Sequence, residues 1–204
     1  HLRGQLHRSN ILIVLGDFGF IFHGHARENT YLDELSRMHL QVLFVDGNHE
    51  NFPLIHQYPV ETWQGGKTHR IRNNIRHLQR GQVFELAGQT FFTMGGGYSI
   101  DKSARVNGVS WWREEMPSEA EYSEARVNLQ RHHFAVDYIL THAAPEDTMS
   151  MFHHHHPEEQ PLNNFLEWVR ESTTYKRWLF GHLHMDEDLW RRQTCVYRKV
   201  HAIE

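Results

Sequence analysis

The chain has 204 residues, enough for one full hydrophobic core, and 39% apolar with 12% aromatic residues describes a globular protein rather than a disordered one. A formal net charge of −4 argues against a nucleic-acid groove, which needs a basic face. No apolar run approaches the roughly 20 residues that span a bilayer, so no membrane partner is expected. The single cysteine, Cys195, cannot close an internal disulfide, which suits a reducing, cytoplasmic setting; in the β-like run TCVYRKV it reads as a buried, inert thiol.

The first ten residues are polar and show no period. With His1 in place of a starting Met and so little chain before the first strand, a missing N-terminus is expected. ILIVL at 11–15 reads as a buried parallel strand, followed by Gly16, Asp17 and an aromatic loop. Tyr31, Leu32, Leu35 and Met38 share one face of a helix over 28–38. VLFV at 42–45 is a second buried strand that stops at Gly47. NFPLIHQY gives a short helix or turn. From about residue 67 the pieces THRIR, NIRHL and QVFEL alternate with turn residues, and VFEL-AG-QTFFTM reads as a hairpin turning on Ala87 and Gly88. These pieces predict a second, more antiparallel sheet, ended by Gly95, Gly96 and Gly97. Ser118 and Glu121 form a capping box that starts a helix running to about 131. A third buried strand covers 136–140, Leu162, Phe165, Leu166 and Val169 have helical spacing, and a fourth strand covers 178–180. Residues 189–203 read as two closing strands. No repeat or linker divides the chain, so a single domain over 1–204 is expected.

Each buried strand is followed at its carboxyl end by groups it cannot absorb. ILIVLGD delivers Asp17; QVLFVDGNHE delivers Asn48, His49 and Glu50; DYILTHAAP delivers His142; RWLFGHLH delivers His182 and His184. Ligands of open α/β sheets bind at that end. A carboxylate, an amide and imidazoles without thiolate form a mixed N/O set suited to Mn, Fe, Zn or Co. In an extended segment His182 and His184 would point the same way and could serve neighbouring ions. The expected fold is α/β: an αββα sandwich of two mixed sheets flanked by helices, with the site at the carboxyl ends of the central strands.

In order and spacing, GDFG, GNHE, THAAP and GHLH resemble motifs two to five of the calcineurin-like metallophosphoesterases, and SWWREEMPSE is similar to a bacterial subgroup of that superfamily. The resemblance implies metal-dependent hydrolysis of a phosphate monoester or diester by two divalent transition metals with a metal-bound hydroxide nucleophile. Asp17 would bridge the metals, Asn48, His142 and His182 would complete one site, and His184 would belong to the other. His49 would be catalytic, as general acid or as a stabiliser of phosphoryl charge. The chemistry is consistent: two cations neutralise an anionic ester, and an imidazole can protonate a departing oxygen near neutral pH. The partner would be a phosphate-ester small molecule or a nucleotide-like substrate.

Two departures bear on this. The family's first motif, Asp-x-His-Gly on a strand upstream of Asp17, has no counterpart, so either the sequence is truncated or the protein is a catalytically degenerate binding module on the same fold. A metal-dependent nuclease would require the basic groove this composition lacks. Phe18, Phe20 and Phe22 occupy the neighbourhood where phosphoprotein phosphatases of the superfamily carry another Asp and an Arg, leaving Glu50 or a carbonyl to orient His49. Asp46 reads as a buttress of the site or as a turn residue. Gly96, Gly97, Tyr98, Trp112 and Arg113 could approach, stack on or clamp a substrate, although two adjacent indoles also simply cover a sheet edge. Glu114, Glu115, Glu119 and Glu121 read as solvated charges, and the histidines at 153–156 as a surface loop that collects metal adventitiously.

Overall fold

The computed structural model describes residues 10–154 and 156–203. Among these residues eleven strands and five α-helices follow one another: β1 (Asn10–Leu15), α1 (Ala26–Ser36), β2 (Leu40–Val45), α2 (Phe52–Ile55), β3 (Val60–Trp63), β4 (Gly66–Arg72), β5 (Ile75–Leu78), β6 (Gln82–Leu86), β7 (Gln89–Met94), α3 (Glu119–Arg131), β8 (Tyr138–Thr141), α4 (Glu146–Met151), α5 (Gln160–Ser172), β9 (Arg177–Phe180), β10 (Glu187–Asp188) and β11 (Gln193–Cys195). They form two mixed sheets, one in the order β1-β2-β5-β4-β3 and the other β10-β11-β9-β8-β7-β6.

The layering follows from what each strand buries. On β2, Val42 and Phe44 face Leu32, Phe18 and Ile55, whereas Leu43 and Val45 meet Leu140 and Leu179 of the other sheet. On β8, Ile139 packs on the helices with Leu129, Leu166 and Val169, while Tyr138 and Leu140 face the first sheet. Strands buried on both faces read as unbroken apolar runs, which is why the central strands were legible. The result is an α/β sandwich of two sheets with helices outside.

Local devices fix the elements that reach the site. The Glu28 carboxylate accepts from the amides of Phe22, His23 and Gly24 at 2.8–3.2 Å and so ties down the aromatic loop after β1. Phe18 stacks on Phe44 with ring centroids 4.2 Å apart. The expected capping box is present: Ser118 Oγ accepts from Glu121 N at 3.3 Å, and Glu121 accepts from Ser118 N at 2.7 Å. The hairpin turns on Ala87 and Gly88, both at positive φ (51° and 79°), the type I′ geometry that matches strand twist.

Two expectations are corrected. The β-rich region after residue 67 is not a separate sheet: β4 and β3 extend the first sheet through β5, which pairs parallel with β2, and only the β6–β7 hairpin joins the second. The C-terminal region forms two very short strands, not two strands over 189–203. Arg191 and Arg192 turn at positive φ, and the amides of Tyr197, Arg198 and Lys199 converge on Asp186 Oδ1 at 2.8–3.1 Å instead of entering a ladder. Cys195 is buried, as expected, and burial pushes its thiol up to about 11. Among the described residues no helix is long and apolar enough to cross a membrane.

Candidate metal centre

The carboxyl ends of β1, β2, β8 and β9 bring Asp17, Asn48, His142 and His182 together across the two sheets. Close backbone approach makes this possible. A Cβ on Gly16 would lie 2.1 Å from the His142 ring, and one on Gly47 would lie 2.1 Å from Asp17 Oδ1. Asp17 itself adopts φ 54°, and its Oδ1 accepts from the His49 amide at 3.0 Å.

The acceptors are arranged face to face. His142 Nδ1 lies 2.7 Å from the Leu15 carbonyl, which can only accept, so Nδ1 carries the proton and Nε2 of the neutral ring is a lone pair. Burial disfavours charging this ring and outweighs the attraction of Asp17, so His142 is held below the ordinary histidine range. Its Nε2 lies 3.0 Å from Asn48 Oδ1 and 3.6 Å from Asp17 Oδ1. Atoms bound at about 2.1 Å to one cation sit about 3.0–3.4 Å apart, a spacing the His142–Asn48 pair matches and the His142–Asp17 pair slightly exceeds. Burial works to raise the Asp17 carboxyl, but the His142 ring and the His49 amide prevail and hold it below its usual value.

Asn48 Nδ2 donates to Ser99 Oγ at 3.0 Å and faces His49 Nε2 at 3.2 Å, with its oxygen turned to His142. The carboxylate of Glu50 does not orient His49. Its Oε1 accepts from Phe18 N (2.9 Å) and Gly47 N (3.4 Å), clasping the loops after β1 and β2. Burial, with Asp17 and Asp46 nearby, raises Glu50 to about 8. Asp46 is no solvated turn: it is fully enclosed, bound by His77 Nε2 (3.0 Å) and Arg80 Nε (2.8 Å), with Gly95 packed directly on it. Burial alone would raise its pKa, but Arg80 and His77 hold it far below the carboxylate range.

His182 lies near His142, ring centroids 4.9 Å apart, and its Nε2 meets Glu159 Oε1 at 3.2 Å. Burial lowers this histidine, but Glu159 and Asp17 more than compensate and lift it. His184 is exposed and stacked on Tyr197 at 4.7 Å. Among the described residues no three His, Cys, Asp or Glu side chains form a metal-holding group; the convergent set depends on the Asn48 amide.

The loop residues are placed as follows. Gly96 N donates to Asp46 O at 3.0 Å, and a Cβ on Gly97 would stand 3.1 Å from His142 and 3.4 Å from His182. Tyr98 is buried, with Lys102 Nζ 4.3 Å from its ring centroid. Trp112 is buried edge-on against Phe22 at 5.5 Å, and Arg113 is exposed. Arg105 pairs with Asp101 at 2.7 and 2.8 Å and lies in the field of Asp17. His156 lies against Tyr98 at 5.4 Å, and His154 lies 6.3 Å from His156; His155 lies outside the described residues. His1 and His7 also lie outside them.

Sequence reasoning missed Glu115 and Glu159. Glu115 is almost completely buried and takes the Ser99 amide at 3.2 Å, not a solvated charge. Glu159 takes the Tyr98 amide at 2.8 Å. No local signal separates Glu115 from its exposed neighbour Glu114, because the partners are distant in sequence.

The two-sheet sandwich gathers a carboxylate, an amide and imidazoles at the ends of its central strands, a donor set of the kind that suits a divalent metal. The calcineurin-like phosphoesterase model matches residues 2–186, and the chain belongs to that family of metal-using phosphate-ester hydrolases. No curated protein matches the chain.

Proposed function

We propose that this protein hydrolyses phosphate monoesters or diesters at the Asp17–Asn48–His142 centre. One observation carries the reading: the His142 Nε2 lone pair faces Asn48 Oδ1 at 3.0 Å and Asp17 Oδ1 at 3.6 Å, with His49 alongside. Asp17, Asn48, His142 and His182 would hold one divalent cation, and Asp17 with His184 would contribute to a second. When bound, such cations neutralise phosphate charge and acidify water for attack.

The remaining work falls to the protein's own groups. The His49 amide orients Asp17, and the Asn48 amide group donates to His49 Nε2, fixing the ring that faces the leaving oxygen. Protonation would release His49 Nε2 from the Asn48 amide, and the imidazolium would deliver a proton to that oxygen. Glu50 holds the loops after β1 and β2 together, and Asp46 anchors the start of the second to His77 and Arg80. The substrate would be a small phosphate ester or a nucleotide-like molecule bounded by Gly97, Tyr98 and Arg113. A second reading, a non-catalytic binding module, draws on the position of His184 against Tyr197.

The test is steady-state hydrolysis of p-nitrophenyl phosphate and bis(p-nitrophenyl) phosphate with added Mn²⁺. Metal-dependent turnover that falls at least about a hundredfold in His49→Ala, with Mn²⁺ binding retained, supports hydrolysis with His49 at the leaving group. No turnover on either ester at saturating Mn²⁺ favours the binding module.

A further inference from the structure

Glu159 sits at the N-cap of α5, yet its side chain makes no capping hydrogen bond to that helix. Ser, Thr, Asp and Asn are the usual caps because their short side chains reach the first-turn amides. Here a longer carboxylate, wholly enclosed, turns away from the helix instead. Its Oε1 accepts from Tyr98 N at 2.8 Å and meets His182 Nε2 at 3.2 Å, while Oε2 is buried without a hydrogen-bond partner. A carboxylate can only accept from an imidazole, so Nε2 carries the proton and the other ring nitrogen is free of one in the neutral ring.

We propose that Glu159 is the positioning residue for His182, fixing its Nε2–H tautomer and leaving Nδ1 as the lone pair offered to the cation centre. This rests on the metal-dependent reading above and adds a residue to it. The arrangement repeats the logic on the other sheet neighbour, where the Leu15 carbonyl fixes the tautomer of His142. The two histidines are therefore oriented oppositely: His142 by its Nδ1, His182 by its Nε2. Through Tyr98 the same carboxylate ties the ring to the glycine loop that packs against both imidazoles.

Glu115 is the internal control. It is equally buried, holds the next amide of the same loop (Ser99, 3.2 Å) and also has an unpartnered oxygen, but it makes no hydrogen bond to a histidine among the described residues. A role confined to loop packing would make the two glutamates equivalent.

The experiment compares wild type, Glu159→Ala, Glu159→Gln and Glu115→Gln. The His182 tautomer is read in the metal-free protein by long-range ¹H–¹⁵N correlation, and Mn²⁺ affinity is read by calorimetry. Wild type should show the Nε2–H form alone. Glu159→Ala should show mixed tautomers and bind Mn²⁺ about 10- to 100-fold more weakly. Glu159→Gln, which keeps an accepting oxygen, should fall between them and answers the question if the alanine variant does not fold. Glu115→Gln should leave both readouts at wild-type values. An unchanged tautomer in both Glu159 variants, or equal losses from Glu115→Gln, would overturn the proposal. If wild type binds no Mn²⁺, the phosphoesterase reading fails while the tautomer comparison still decides the role of Glu159.

Discussion

His142 Nε2 and Asn48 Oδ1 face each other at 3.0 Å, and neither has a proton for the other, because the His142 proton is already given to the Leu15 carbonyl at 2.7 Å. Two lone pairs at that distance repel unless a cation lies between them. Buried acceptors held in this way would cost stability without a cation and return it on metal binding.

Metal should therefore stabilise the fold, and Asn48 should carry much of the effect. At Mn²⁺ a hundredfold above its Kd, linkage predicts about 2.7 kcal/mol for one site. Thermal unfolding with and without Mn²⁺ should show a clear rise in Tm for wild type and little or none for Asn48→Ala. Equal metal-induced shifts in both proteins would remove Asn48 from the centre.

Gly47→Ala should disable the site by contact alone. Its Cβ would lie 2.1 Å from Asp17 Oδ1 and 2.5 Å from the Asp17 amide, so the carboxylate must move. Displacements of about 1 Å at a reacting centre can cost about a hundredfold. We expect kcat/KM to fall by that order, and Gly97→Ala, whose nearest contact is 3.1 Å, to fall much less. Similar kinetics for the two variants would contradict the packing described.

Thr141 links the two strands that carry His142 and His182. Its hydroxyl accepts from Trp178 Nε1 at 2.8 Å and donates to the Ala143 carbonyl at 2.6 Å, all within the core. Thr141→Val leaves the indole N–H unpaired, at about 1–3 kcal/mol. Urea unfolding should register that loss.

The acid limb of stability should depend on His69. Burial first, then His77 and His56, push this residue down to about 3. The folded protein thus stays unprotonated at His69 where the unfolded chain, near 6.5, takes up a proton. Stability from this group is present above about pH 6.5 and is lost as pH falls toward 3. His69→Gln should flatten the fall between pH 6.5 and 4 by an amount of order 1–3 kcal/mol, measured by urea unfolding at each pH. An unchanged slope would show that His69 does not resist protonation.

How much of this was legible depends on how local each cause is. The strands before Asp17, Asn48, His142 and His182 announce themselves because an apolar run buried on both faces ends abruptly at a polar group. The Ala87-Gly88 hairpin and the Ser118–Glu121 box are equally local. Which sheet a strand joins is not, so the sequence pattern places β4 and β5 with the β6–β7 hairpin although they belong to the first sheet. Asp46 gave no sign of its enclosure because His77 and Arg80 lie 31 and 34 residues away. Glu159 reaches Tyr98 across 61 residues, a pairing no spacing rule contains. His184 two residues after His182 invited a shared orientation, but both turn at positive φ, so the alternation of an extended strand does not apply.

The central claim is a cation centre at Asp17, Asn48 and His142, and metal stoichiometry by elemental analysis tests it most directly. The protein should first have the histidines at 153–156 replaced by Asn, to remove adventitious sites. The account predicts at least one tightly bound divalent metal per chain, lost in Asp17→Asn and in His142→Ala. A metal content unchanged by either substitution, or no bound metal after saturation with Mn²⁺, would contradict it.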